Sequence, residues 1–108
     1  MAVQSPASRW AWVEIDLSAL KRNTRKFKVL LEPGVKMMCV VKSDAYGHGA
    51  ERCVRAMHSA GADQFAVATV DEGVKLRQAG IEWPILVLSE PPMDCVQTLV
   101  DYDIMPSV

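Results

Sequence analysis

Lys42 closes an apolar run, Met37 to Val41, and opens the string Ser43-Asp44-Ala45-Tyr46-Gly47-His48-Gly49. An amine, a carboxyl, a phenol and an imidazole are thereby gathered between Lys42 and His48. Lysine is rarely buried without a partner, and lodging its amine among Val40, Val41 and neighbouring strands disfavours the charged form. A neutral amine is a nucleophile. The chemistry that exploits it is Schiff-base formation with an aldehyde, most commonly pyridoxal 5'-phosphate, an electron sink for carbanions. Tyr46 offers a phenol O–H to a phosphate oxygen. Gly47 and Gly49 allow a tight turn and close backbone approach to a bound group, and the free N–H groups opening the next helix suit the same anion. The residue types alone leave a plainer reading open, that of a solvated strand end followed by a Gly-x-Gly that only turns the chain.

The elements that hold this string follow from periodicity. Ala11 to Leu17 alternates, with Ala11, Val13, Ile15 and Leu17 on one face, which predicts a short strand. Asp16 then stands as N-cap of a helix over Ser18 to Leu31, with a buried stripe of Leu17, Leu20, Thr24, Phe27 and Leu31 and a stop at Pro33-Gly34. Val35 to Val41 is nearly all apolar, the pattern of a strand covered on both faces in a parallel sheet. Ala50 to Ala60 repeats apolar residues at helical spacing and ends at Gly61. Gln64 to Ala68 reads as a second covered strand. Thr69 and Glu72 form a capping-box pair for a helix running to Ala79, closed by Gly80. Ile85 to Leu88 is a third covered strand, Ser89 to Pro92 a turn, and Met93 to Tyr102 a helix turning Val96, Leu99 and Val100 inward. Ile104 to Val108 is extended again. Strands alternating with helices predict a parallel α/β sheet, whose strands present ligand-binding groups at their carboxyl ends. Lys42 stands at such an end.

Val40 to Gly49 (VVKSDAYGHG) closely resembles the pyridoxal-phosphate attachment segment of alanine racemases. The likeness extends to Trp12–Asn23 (WVEIDLSALKRN), Phe65–Gly80 (FAVATVDEGVKLRQAG) and Pro84–Leu88 (PILVL), in the family's order and spacing. The resemblance implies that Lys42 holds the cofactor and serves as the base on one face of the substrate α-carbon. It implies that Tyr46 contacts the cofactor phosphate, that Val40 and Leu88 line the cofactor ring, and that His48 and the two glycines shape the turn. Where family members often carry Ala-Asn or Ala-Asp after the lysine, this chain has Ser43-Asp44. The implied activity is that of an isomerase interconverting L- and D-alanine, cytoplasmic and homodimeric, which supplies D-alanine for peptidoglycan. Racemisation needs two bases on opposite sides of a planar carbanion. In the family the second base is a tyrosine from the partner subunit's carboxy-terminal β domain, and an arginine later in the barrel faces the pyridine nitrogen.

The expected organisation is a loose arm over 1–10, followed over 11–108 by the first β/α units of an amino-terminal (β/α)8 TIM-type barrel with parallel strands. The barrel is expected to be incomplete, since a whole one takes about 250 residues and this chain has 108. On that expectation the isolated chain is inactive as a racemase and self-associates through its open sheet edges. Two other readings compete: a non-catalytic pyridoxal-phosphate carrier barrel, which normally lacks the Tyr46–Gly49 string, and a small α/β interaction module without cofactor.

Composition argues against other classes. Twelve Lys and Arg against 13 Asp and Glu give a net charge of −1, no field to gather nucleic acid or anionic lipid. No apolar run approaches the roughly 20 residues of a membrane span, and no secretory leader pattern is visible, so a cytoplasmic location is expected. Cys39, Cys53 and Cys95 form no CxxC pair, which favours reduced core thiols over a disulfide framework or a metal site. Lys21 to Lys28 holds five cations and reads as a solvated helix face. His58 is expected to be exposed and Tyr102 to pack. Met37 and Met38 fill space within a strand. Asp71 and Glu72 favour a helix amino terminus.

Overall fold

The computed structural model describes residues 2–3 and 14–107. Two short strands, β1 (Ala2–Val3) and β2 (Glu14–Ile15), pair antiparallel with Ala2 opposite Ile15. The alternating segment near residue 15 therefore forms a strand outside the parallel sheet, which corrects the expectation of a regular β/α series from the first strand onward. Ala2–Val3, expected to belong to a loose arm, is paired as well. Residues 4–13, including Trp12 and most of the predicted first strand, lie outside the described residues.

Helix α1 (Leu17–Val29) starts where Asp16 accepts the Ala19 N–H at 3.1 Å. Of its predicted stripe, Thr24 is buried and donates its hydroxyl to Leu20 O at 2.8 Å, but Phe27 is 66% exposed. The reason is the docking partner: α1 packs chiefly on α3 (Ala50–Ser59), so the end of its apolar face projects past the sheet. A groove of about 700 Å³ remains between Phe27, Leu31, Met38 and Met57. The cations Arg22, Arg25 and Lys26 are exposed, as expected of a solvated face, while Lys28 pairs with Asp63.

Strands β3 (Met38–Val40), β4 (Gln64–Val67) and β5 (Ile85–Val87) form a parallel sheet in the order β3-β4-β5, with Val40 beside Ala66 and Ala66 beside Leu86. Met105 adds a parallel bridge to Leu86, so the extended start predicted after Ile104 joins the same sheet. Period-two alternation divides the side chains. Cys39, Val41, Phe65, Val67, Ile85 and Val87 face the helices, and Phe65, Ile85 and Val87 are completely buried among Val54, Leu76 and Leu99. Met38, Val40, Leu88 and Met105 stay exposed on the opposite side. The expectation of strands covered on both faces is thus corrected. An unbroken apolar run records that both faces are apolar, and among the described residues helices cover only one.

Thr69 and Glu72 form the predicted capping box of α4 (Val70–Gln78). Gly73 lets α4 lie close on the sheet: a Cβ there would sit 3.0 Å from Ile104 Cδ1 and 3.5 Å from Ile85 Cγ2. The predicted last helix is a 3-10 turn (Met93–Cys95) followed by α5 (Val96–Asp101), which buries Leu99 and leaves Val96 and Val100 exposed, against expectation. With only six residues, α5 is too short to bury more than one position firmly. His58, expected to be exposed, is half-buried and stacks on Trp83 with ring centroids 3.6 Å apart.

Candidate active site

Lys42 follows β3 at the carboxyl edge of the parallel sheet. The last ladder bond before it runs from Val41 N–H to Ala66 O at 2.8 Å. The next residues form α2 (Lys42–Tyr46), a single turn whose hand is left: φ is 53° at Ser43, 54° at Asp44, 56° at Ala45 and 57° at Tyr46. For residues with a Cβ this region costs about 1–2 kcal/mol each, so four in succession require firm external support.

The support is on every side of the turn. Ala45 N–H donates to Val41 O at 2.9 Å and Gly47 N–H to Ser43 O at 3.0 Å. Ala45 itself is buried. His48 shapes the exit, since its backbone N–H and its Nδ1 both lie within 3.1 Å of Ala45 O. Gly47 (φ 87°) and Gly49 (φ 91°) carry the chain out of the turn, and space is open where their Cβ atoms would stand. Asp44 Oδ1 accepts the Ala50 N–H at 2.7 Å. That bond takes one of the N–H groups expected to be free at the start of α3.

Lys42, expected to lodge its amine among Val40, Val41 and neighbouring strands, is half-buried. No hydrogen bond or ion pair engages its Nζ among the described residues. Val40 and Leu88 end β3 and follow β5 on the uncovered side, 42% and 44% exposed, and Tyr46 is 61% exposed. Lys42, Val40, Leu88 and Tyr46 are therefore all placed at or just beyond the carboxyl ends of β3 and β5, each at least partly exposed. Tyr102 is not: it caps the far end of α5, before the Met105 strand begins, with its carbonyl bound by Arg77 Nε at 2.8 Å. Arg77 also holds Trp83 O just before β5, which places Tyr102 at the amino ends of the strands, opposite Lys42.

A family model described as the alanine racemase N-terminal domain matches residues 15–108. Alanine racemase from Lactobacillus delbrueckii subsp. bulgaricus is 52% identical over 93 residues, covering 86% of this chain and 24% of the relative. Alanine racemase 1 of Bacillus subtilis is 43% identical over 92% of this chain and 25% of its own. The Bacillus anthracis alanine racemase structure with bound L-Ala-P superposes with a TM-score of 0.91 at 38% identity, over 96% of this chain and 27% of that one. This chain belongs to the alanine racemase N-terminal domain family. It spans about a quarter of the length of the relatives it matches, and its fold is the amino-terminal part of their barrel.

The residue types at this edge fit pyridoxal phosphate: an amine without a partner among the described residues for the aldehyde, two apolar side chains for a flat ring and an exposed phenol for a phosphate oxygen. Two site-shaping residues escaped the sequence reading. Asp44 ties the turn to α3. Glu72, read only as a helix-start residue, also accepts the Ser43 N–H at 2.6 Å through Oε2. The capping box was a visible signal for one of its oxygens; the other bond joins residues 29 apart in sequence and had none. Behind the turn, Cys53 Sγ donates to His48 O at 3.7 Å, and burial first, then the Asp44 carboxylate, pushes its thiol pKa up.

Proposed function

We propose that this chain is the cofactor-anchoring segment of a pyridoxal-phosphate-dependent alanine racemase, organised as an arm over 1–10 and barrel units over 11–108. Lys42 holds the cofactor and moves the α-proton on one face of alanine. Tyr46 steadies the phosphate, and Val40 and Leu88 flank the ring. The observation that carries this reading is Lys42 at the carboxyl edge of a parallel sheet, with its amine unpaired among the described residues and its backbone held between a ladder bond and a left-handed turn.

When bound, pyridoxal phosphate disperses negative charge developing at the substrate α-carbon. The protein's part is orientation and proton transfer. Val41 N–H on Ala66 O and Ser43 N–H on Glu72 fix the backbone on both sides of Lys42, so the direction in which its side chain leaves the sheet edge is set in advance. Proton return to the other face needs a second base. Tyr46 adjoins the same lysine turn and Tyr102 lies at the opposite sheet end, and these are the only tyrosines of the chain. Resemblance to the family supplies the rest of this reading: a tyrosine of the partner subunit as second base, in a homodimeric cytoplasmic parent whose D-alanine enters peptidoglycan.

The test is racemisation of alanine by a full-length family polypeptide carrying this segment. Lys42→Ala is expected to lower turnover at least about a hundredfold while circular dichroism stays unchanged. Turnover within a few-fold of the parent would remove Lys42 from the chemistry.

A further inference from the structure

Glu72 is half-buried at the start of α4 and divides its carboxylate between two tasks. Oε1 accepts the N–H groups of Ala68 and Thr69 at 2.9 and 3.1 Å, completing the helix cap with Thr69 Oγ1. Oε2 crosses to the neighbouring β/α unit and accepts the Ser43 N–H at 2.6 Å. Capping needs only the first oxygen. The second binds the residue that directly follows Lys42 and begins the left-handed run.

The bond has a definite mechanical consequence. Val41 is fixed to β4 by its N–H on Ala66 O, so Lys42 is the one residue between a sheet anchor and the turn. Without the acceptor on Ser43, the left-handed run loses an anchor while keeping its intrinsic cost. Relaxation of Ser43 toward the right-handed basin re-aims Lys42. A charge-assisted bond to a backbone N–H is among the stronger ones available. Asp44 makes the corresponding tie at the exit of the turn, to Ala50 N–H, but it comes from the turn itself and cannot locate the turn against the sheet.

We propose that Glu72 is a positioning residue for Lys42, setting through the Ser43 N–H the direction from which the lysine amine meets a cofactor aldehyde. This rests on the proposed role of Lys42 and extends it to a residue on another β/α unit.

The experiment uses the full chain with pyridoxal 5'-phosphate and borohydride, which reduces the carbon–nitrogen double bond formed at any reacting lysine. Peptide mass analysis then gives the ratio of pyridoxyl label on Lys42 to that on Lys26, an exposed lysine of α1. Glu72→Gln keeps an amide oxygen for the two N–H groups of the cap and turns an NH2 toward Ser43, whereas Thr69→Ala weakens the cap and leaves the Ser43 bond. The ratio is expected to fall about tenfold in E72Q and to change less than about twofold in T69A. In the unsubstituted chain the Ser43 amide is expected to exchange slowly with deuterium, a reading that needs no variant to fold.

An unchanged ratio in E72Q, an equal fall in T69A, or a freely exchanging Ser43 amide overturns the role of Glu72 and leaves that of Lys42 standing. No preference for Lys42 over Lys26 in the unsubstituted chain overturns both.

Discussion

At the scale of single residues, the site is a lysine held by conformations that its neighbours do not favour. Ser43, Asp44, Ala45 and Tyr46 have no intrinsic preference that would announce four left-handed residues in a row. Lys42 and Tyr46 could be singled out as candidates because the string around them is contiguous. The turn's hand and the reach of Glu72 were not, because both depend on packing between separate β/α units. Gly47 offers a clean probe, since φ is 87° and nothing lies within 4 Å of a would-be Cβ. Gly47→Ala is expected to destabilise the fold by about 1–2 kcal/mol through backbone conformation alone, measured by urea unfolding; an unchanged midpoint would show that the turn has relaxed. The three cysteines are raised in pKa, in each case by burial first and then by a nearby carboxylate, Asp63 for Cys39, Asp44 for Cys53 and Asp94 for Cys95. Little thiolate is present near neutral pH, in keeping with structural thiols.

At the scale of elements, helix starts were the most legible feature, because Asp16 and the Thr69–Glu72 pair act within one turn of their own backbone. Burial was less so. Phe27, Val96 and Val100 sit at apolar positions but find no partner in the described residues, since an amphipathic pattern names a face and leaves its cover unspecified. The tie between α1 and the start of β3 also lay beyond local pattern: Asp63 pairs with Lys28 Nζ and accepts the Met37 N–H at 2.7 Å. The Lys28 hydrogen bond, then that of Met37, lowers the Asp63 pKa below its ordinary 3.8. A lowered folded-state value means stability that is present above the ordinary value and is lost as pH falls through the lowered one. Asp63→Asn is expected to cost about 1 kcal/mol at neutral pH, discounted for partial exposure, and to flatten the acid limb of the stability curve below pH 3.8. An acid limb identical in both proteins would contradict this tie. Packing of α4 on the sheet gives a second test at this scale. Gly73→Val must displace Ile104, whose Cδ1 is already 3.0 Å from a Cβ at that position, and is expected to cost about 1–3 kcal/mol in thermal or urea unfolding.

At the scale of the whole molecule, the one-sided sheet is the governing fact. A parallel sheet belongs to architectures that cover both faces, and Met38, Val40, Leu88 and Met105 form an apolar face without cover in the described residues. The same openness leaves the carboxyl edge around Lys42 accessible. Sequence alternation of strand and helix was sufficient to predict a parallel sheet, and the chain matches alanine racemases over about a quarter of their length. Self-association is the expected consequence: sedimentation should show mass rising with concentration across the micromolar range, and Met38→Glu should suppress it. A monomer at all concentrations would contradict that account of the bare face.

The central claim is that Lys42 is the cofactor-binding amine, and site-resolved reductive labelling tests it most directly. With pyridoxal 5'-phosphate and borohydride, Lys42 should carry the pyridoxyl group in preference to each of the five other lysines of the chain, and the preferred label should vanish in Lys42→Arg. Label spread evenly over the lysines, or absent from Lys42, would contradict the account.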